Sequence, residues 1–222
     1  VLVSGAAGAT GSIVAQIAKH VVGCKTVIGT AGSDEKCAWL VANGIVDVAI
    51  NYKTTKSLSG AIRDASSGTL GKGGGVDLVF DNVGSEFLEA ALSNLAARGG
   101  ARVVLCGAIS QYNHSKASAS TAKGPRNYMN LLVKRASMKG FVVFDYRSEY
   151  PAAICDLVRW IAAGKIRCYK EDMRNVGIEN FYPALVSLFE GTNIGKVVLT
   201  INEKQSDDEE RPHGSIIARS KL

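Results

Sequence analysis

Proline is scarce in this chain, with 4 in 222 residues against 24 glycines, a balance that suits an α/β protein with many short turns. No apolar run approaches the roughly 20 residues needed to cross a bilayer. A membrane partner is therefore not expected, and a soluble protein is. Basic side chains outnumber acidic ones by 26 to 20, but they are scattered, with no basic stripe and no interleaved aromatics. This argues against a nucleic-acid partner and for a solvated surface. The cysteines, Cys24, Cys37, Cys106, Cys155 and Cys168, are odd in number and contain no C-x-x-C pair. Neither a disulfide framework nor a metal site is expected, and the thiols read as reduced, in an intracellular protein. An initiator Met is also missing, and the first residue already lies in a strand, so the chain is expected to be the C-terminal part of a longer one.

What is present is an apolar share of 46%, enough for a real core, and an opening stretch around which the rest is organised, Val1-Leu2-Val3-Ser4-Gly5-Ala6-Ala7-Gly8-Ala9-Thr10-Gly11-Ser12. An apolar strand runs into Gly5, Gly8 and Gly11, and Ile13, Val14, Ile17 and Ala18 then recur at helical spacing. In a strand–turn–helix unit, Gly5 allows the turn, Gly8 lets a phosphate approach the backbone, and Gly11 lets the helix pack against the strand. The free amides and positive dipole end at the helix start then hold a pyrophosphate. The rival reading, a tight turn that binds nothing, is weakened by the alternating pattern that follows.

Further strands are expected at 25–30, 46–52, 76–81, 102–107 and 139–144, with helices after Ser33 (an N-cap), from Ser57, through Leu88, Leu92 and Leu95, and from about Asn127 and Pro151. Residues 68–75 hold five glycines and read as a flexible loop. Continuous apolar strands alternating with helices give an α/β fold, a doubly wound parallel (Rossmann) sheet with its ligand cleft outside the carboxyl strand ends. The glycine turn, Gly32, Asn82 and Gly107 all fall at such ends. In an NAD site an acidic residue stands about 20 residues past the glycines; here the second strand closes with Ala31-Gly32. That leaves room for the 2′-phosphate of NADP. Lys36 and Tyr52 are candidates to hold it, or else Lys36 lies on a wet helix face and Tyr52 closes a strand. Asp34 and Glu35 remain able to take a ribose hydroxyl.

Residues 108–126 form a polar loop placed to lie over the cofactor. The stripe Ile154, Leu157, Val158 and Ile161 marks an amphipathic helix, with Trp160 as core. A helix through Tyr182 and Phe189 precedes a last strand, 197–201, which comes after the sheet looks complete and is expected to pair with something outside the chain. From residue 202 the chain turns polar, with the acidic run Ser206-Asp207-Asp208-Glu209-Glu210, and reads as a disordered tail. It ends in Ser220-Lys221-Leu222, the address read by the peroxisomal import receptor. Peroxisomes or a related glycosome-like organelle are the expected location, and otherwise the cytoplasm.

These motifs carry a resemblance. The chain resembles the cofactor-binding part of a medium-chain dehydrogenase/reductase, within the zinc-independent, NADPH-dependent double-bond reductases, the prostaglandin reductase and alkenal or curcumin reductase group. The match runs in order through Gly5-Ala6-Ala7-Gly8-Ala9-Thr10-Gly11, Gly32-Ser33-Asp34-Glu35-Lys36, Asn51-Tyr52-Lys53, Phe80-Asp81-Asn82-Val83-Gly84, Cys106-Gly107-Ala108-Ile109-Ser110-Gln111-Tyr112-Asn113, Phe141-Val142-Val143-Phe144-Asp145-Tyr146 and Asn193-Ile194-Gly195-Lys196. The resemblance implies that Gly8, Ala9, Thr10 and Gly11 hold the pyrophosphate and that Lys36 and Tyr52 take the 2′-phosphate. It implies that Cys106, Gly107, Ala108, Ile109, Ser110 and Tyr112 lie along the cofactor, that Phe141, Val142 and Val143 line the nicotinamide, and that Asn193 closes over it. It also implies a homodimer, no metal, and three parts: a dinucleotide-binding domain at 1–165, a return at 166–201 to an absent GroES-like substrate domain, and the tail. Gly5 stands where relatives often have alanine, which the turn tolerates.

The implied reaction is hydride transfer from NADPH to the β-carbon of an α,β-unsaturated ketone or aldehyde, with charge building on the carbonyl oxygen. Tyr112 is the candidate donor to that oxygen, or else it packs on the nicotinamide ribose. His114 reads as surface loop, and Cys106 as a wall residue rather than a nucleophile. A quinone reductase of the same superfamily and a cofactor-dependent binding protein without turnover are the alternatives.

Overall fold

Side-chain alternation in the shortest strand sets the two faces of the sheet. β1 (Leu2–Val3) is fully buried, and because successive side chains point to opposite faces, Leu2 joins one apolar cluster with Ile28, Ile62, Val79, Leu92 and Val103. Val3 joins a second with Ala6, Ala15, Val27, Leu40 and Val46. Each such side chain contributes roughly 1.5–3 kcal/mol by leaving water. The computed structural model describes residues 1–67, 74–112, 124–169 and 171–201. Most of the glycine-rich loop, Asn113 and His114, and the tail with Ser220-Lys221-Leu222 lie outside the described residues.

The remaining strands of the main sheet are β2 (Ile28–Ala31), β3 (Val48–Asn51), β4 (Leu78–Asp81), β5 (Arg102–Leu105) and β6 (Ser137–Gly140). All pair in parallel, in the order β3-β2-β1-β4-β5-β6. This is the doubly wound arrangement, whose crevice opens where the strand order reverses, between β1 and β4. The helices are α1 (Ala9–Gln16), α2 (Asp34–Ala42), α3 (Leu58–Ser67), α4 (Ser85–Ser93), α5 (Asn130–Val133), α6 (Tyr150–Ala162) and α7 (Phe181–Glu190). Ser33 caps α2 as expected, its hydroxyl accepting from the Lys36 amide at 3.2 Å. Among the described residues no helix is long and apolar enough to cross a membrane.

Three expectations need correction. The sixth strand is not 139–144: β6 ends at Gly140, opposite Leu105, because the register with β5 fixes where the ladder stops. Phe141 and Val142 run past the sheet edge, and a 3₁₀ turn starts at Val143. The last strand, β8 (Lys196–Thr200), has its partner inside the chain, pairing in parallel with β7 (Glu171–Val176) in a separate two-stranded sheet. The polar sequence of β7 hid it. The α6 stripe is not covered: Ile154 and Val158 are 58% and 61% exposed, and Trp160 is half-buried rather than core.

At Gly11 backbone packs directly on backbone. A Cβ at Gly11 would lie 2.3 Å from the Gly5 carbonyl oxygen and 2.9 Å from the Ala6 Cα, and neither can swing away as a side chain would. Gly11→Ala is expected to destabilise the fold by about 1–3 kcal/mol, the usual cost of overpacking, read as a lowered urea midpoint. A loss below about 0.5 kcal/mol, the size of a neutral surface change, would show that α1 rides freely over the turn.

Candidate active site

The glycine turn brings bare backbone to the crevice. Gly5 sits at φ +57, a conformation open to glycine, and its carbonyl accepts from the Gly8 amide at 3.0 Å. Gly8 is the N-cap of α1, with no side-chain cap and no acidic residue in the first turn. The leading amides of α1, at Ala9, Thr10 and Gly11, have no acceptor within the helix and carry its positive dipole end. This is a cradle for an anion, with Gly8 to Gly11 where the sequence placed them.

The neighbouring strand ends are locked by a buried polar pair that the sequence reading missed. Ser4 and Asp81 are both fully buried, and the Ser4 hydroxyl donates to Asp81 Oδ1 at 2.8 Å. The same carboxylate accepts from the amides of Val83 and Gly84, at 2.8 and 3.0 Å. Asn82 is fixed beside them, its amide N–H donating to Ser4 Oγ at 2.7 Å and its Nδ2 to the Ser4 carbonyl at 2.8 Å. A polar residue closing each of two apolar strands was the available signal. Asp81 thus shapes the turn rather than reacting.

Lys36 lies in the first turn of α2, just past β2, and Tyr52 just past β3. Lys36 is only 9% exposed, and its Nζ donates to the Gly191 carbonyl at 2.5 Å. Burial, and then the charge of Lys53, push its pKa below the ordinary lysine value. A Cβ on Gly32 would stand 3.0 Å from the Tyr52 hydroxyl oxygen and 3.3 Å from Lys53 Cε, so Tyr52 and Lys53 both arch over the Gly32 backbone. Asp34, a candidate for a ribose hydroxyl, accepts from Asn51 Nδ2 at 2.7 Å through Oδ1, and the charge of Glu35 opposes that of Lys53 at Lys36. The residues present fit a phosphorylated ribose better than a bare one.

Residues 191–195 cross the glycine turn. The Gly195 amide donates to the Ala7 carbonyl at 2.8 Å, and Gly195 bridges Gly8. Asn193 spends its Nδ2 within this segment, on the Gly195 carbonyl at 2.8 Å. Lys36 therefore joins the β2 end to the C-terminal cap of α7, across 155 residues of chain.

Beyond β5 lies a cavity of about 640 Å³ whose lining includes Cys106, Gly107, Ala108, Tyr112, Phe141 and Val142. Phe141 is held edge-on by Tyr146, centroids 6.0 Å apart, and against Phe80 at 6.4 Å. Tyr112 is 62% exposed, and its phenol oxygen accepts from the Ala108 amide at 3.0 Å. That contact uses a lone pair and leaves the O–H to donate elsewhere. Burial and the nearby Asp81 charge raise the Cys106 thiol, which fits a wall residue better than a nucleophile. Ile109, Ser110 and Val143 do not line this cavity: Ser110 Oγ donates to the Val83 carbonyl at 2.6 Å, and the Val143 carbonyl accepts from the Tyr150 hydroxyl. Among the described residues no group of three His, Cys, Asp or Glu is placed to hold a metal.

Comparison with known proteins agrees with this geometry. Residues 9–159 match the family model described as zinc-binding dehydrogenase. Prostaglandin reductase 1 of Bos taurus is 44% identical over 200 residues, covering 90% of this chain and 56% of the relative. The 2-alkenal reductase (NADP(+)-dependent) of Nicotiana tabacum is 40% identical over 204 residues, covering 92% and 54%. The crystal structure of CurA in complex with NADPH from Vibrio vulnificus superposes with a TM-score of 0.77 at 36% identity, covering 91% of this chain and 57% of that one. The chain spans about half the length of the curated relatives it matches. With that model running from α1 into α6 over a doubly wound sheet, the chain belongs to the zinc-binding dehydrogenase family.

Proposed function

We propose that this chain is the cofactor-binding part of an NADPH-dependent oxidoreductase that reduces the carbon–carbon double bond of α,β-unsaturated ketones or aldehydes. The observation that carries the reading is a single sheet edge joining an anion cradle, a β2 end with the two lysines Lys36 and Lys53 beside Tyr52, and an apolar-walled cavity with a phenol at its rim. The names of the reductases to which the chain is similar point the same way. In this reading Gly8, Ala9, Thr10 and Gly11 hold the pyrophosphate, Lys36 and Tyr52 the 2′-phosphate, and Asn82 and residues 106–110 flank the nucleotide. Phe141, Val142 and Val143 back the nicotinamide, and Asn193 covers it.

The nucleotide, when bound, supplies a hydride to the β-carbon of the enone. Negative charge then gathers on the substrate carbonyl oxygen, where Tyr112 donates its free O–H. Phe141 and Val142 give that end of the cavity an apolar wall. The segment 166–201 is proposed to return to a substrate-binding domain. The bare edge of β6 and the exposed Ile154, Val158 and Ile161 of α6 support a homodimer, since such a face is covered in most proteins. Ser220-Lys221-Leu222 is proposed to bind the peroxisomal import receptor; capture of the receptor that survives removal of these three residues would end that assignment.

Four measurements on the full-length protein test the reading. NADPH is expected to be consumed when an enone is added; oxidation with a quinone alone would favour a quinone reductase, and none with either a binding protein. Tyr112→Phe is expected to lower kcat about 10- to 100-fold, somewhat less than a fully buried oxyanion donor is worth, with KM for NADPH unchanged. Lys36→Ala is expected to weaken NADPH far more than NADH in fluorescence titrations; equal losses would remove the 2′-phosphate assignment. Because the Lys36 pKa is lowered, the wild-type preference for NADPH should fade on raising the pH earlier than an ordinary lysine would allow.

A further inference from the structure

Lys36 is not the only cation at the end of β2, and its ammonium is already partly committed. It donates to the Gly191 carbonyl, leaving two of its three donors for an anion. Lys53 stands close enough for its charge to act on Lys36. Its side chain passes over Gly32, with Cε 3.3 Å from where a Cβ there would stand. Among the described residues, no hydrogen bond or ion pair engages the Lys53 ammonium.

The turn that carries Lys53 is built. Asn51 closes β3 opposite Ala31, and its two ends tie two elements together: Oδ1 accepts from the Lys53 amide at 3.0 Å, and Nδ2 donates to Asp34 Oδ1 at 2.7 Å, in the first turn of α2. The Tyr52 amide donates to the Ala31 carbonyl at 3.2 Å. The one amide side chain thus ties Lys53 to the N-terminus of α2. Lys53 and the Tyr52 phenol pass over the bare Gly32 backbone, and Lys36 feels the charge of Lys53 more strongly than the opposing charge of Glu35. Such an arrangement costs the apo protein repulsion, and a doubly charged anion relieves it.

We propose that Lys53 is a second cation for the cofactor's 2′-phosphate and, with Lys36, sets the choice of NADPH over NADH. This rests on the nucleotide reading above. Lys36, buried and tied to Gly191, orders the phosphate against the C-terminal segment, while Lys53, exposed, adds charge from the solvent side. Gly32, lacking a Cβ, leaves both Tyr52 and Lys53 room to pass close over its backbone.

The test is calorimetric titration of the full-length protein with NADPH, NADH, adenosine 2′,5′-bisphosphate and 5′-AMP, at low salt and at about 1 M salt, where the screening length shrinks to about 3 Å. Lys53→Met is expected to weaken NADPH and the bisphosphate about 3- to 10-fold at low salt, the worth of one exposed charge-assisted contact, while NADH and 5′-AMP hold their affinities. Lys53→Arg is expected to keep most of the affinity, and the gap between wild type and Lys53→Met to narrow at high salt. Equal weakening of phosphorylated and unphosphorylated ligands, or no weakening at all, would overturn the inference while leaving the 2′-phosphate reading intact. A wild-type protein that binds NADPH no better than NADH would overturn that reading and this inference together. The exposed position of Lys53 makes misfolding a poor explanation of either result, and unchanged NADH binding checks it.

Discussion

The structure depends on how closely α1 can approach the end of β1. Gly11 brings the helix so near the Gly5 carbonyl that no side chain fits between them. Gly5 supplies the left-handed turn, and Gly8 starts the helix without a capping side chain. One local geometry thereby does two things. It seats α1 on the sheet, with Ala15 and Ala18 in the core, and it leaves the leading amides of the helix turned toward the crevice, where an anion is their best partner. Everything else at the carboxyl edge is arranged around that positive point.

The edge holds its shape through buried polar contacts rather than through more apolar packing. Asp81 accepts from Ser4 and from the two amides that follow it, so the ends of β1 and β4 cannot slide apart without stranding a buried carboxylate. Lys36 plays a comparable part farther out, reaching the cap of α7 from the start of α2. The start of α2 and the C-terminal segment are therefore in direct contact.

Much of this was legible in the sequence, and for a consistent reason. The three glycines, the Ser33 cap, the strands β2 to β5 and their helices are encoded by local spacing and by steric demands that one or two residues express. The missing carboxylate at the end of β2 was visible as Ala31-Gly32. Less legible was anything that depends on register. The apolar run 141–144 looks like a strand, but β5 ends at Leu105 and the ladder ends with it, so Phe141 and Val142 become cavity wall. β7 is too polar to read as a strand, and its pairing with β8 emerged only from the fold. The exposed stripe of α6 satisfies helical periodicity while burying nothing among the described residues.

Sequence by itself determined the doubly wound class, the anion-binding turn and the residue types available to a phosphate, because each follows from contacts between near neighbours in the chain. Tertiary structure decided which of those residues are free to act. Lys36 turned out to be tied to a carbonyl 155 residues away, Asp34 to accept from Asn51, and Lys53 to stand over Gly32 with no hydrogen bond or ion pair to its ammonium among the described residues. Whether a side chain has a spare donor is set by what packs beside it, and that is fixed only when distant segments meet.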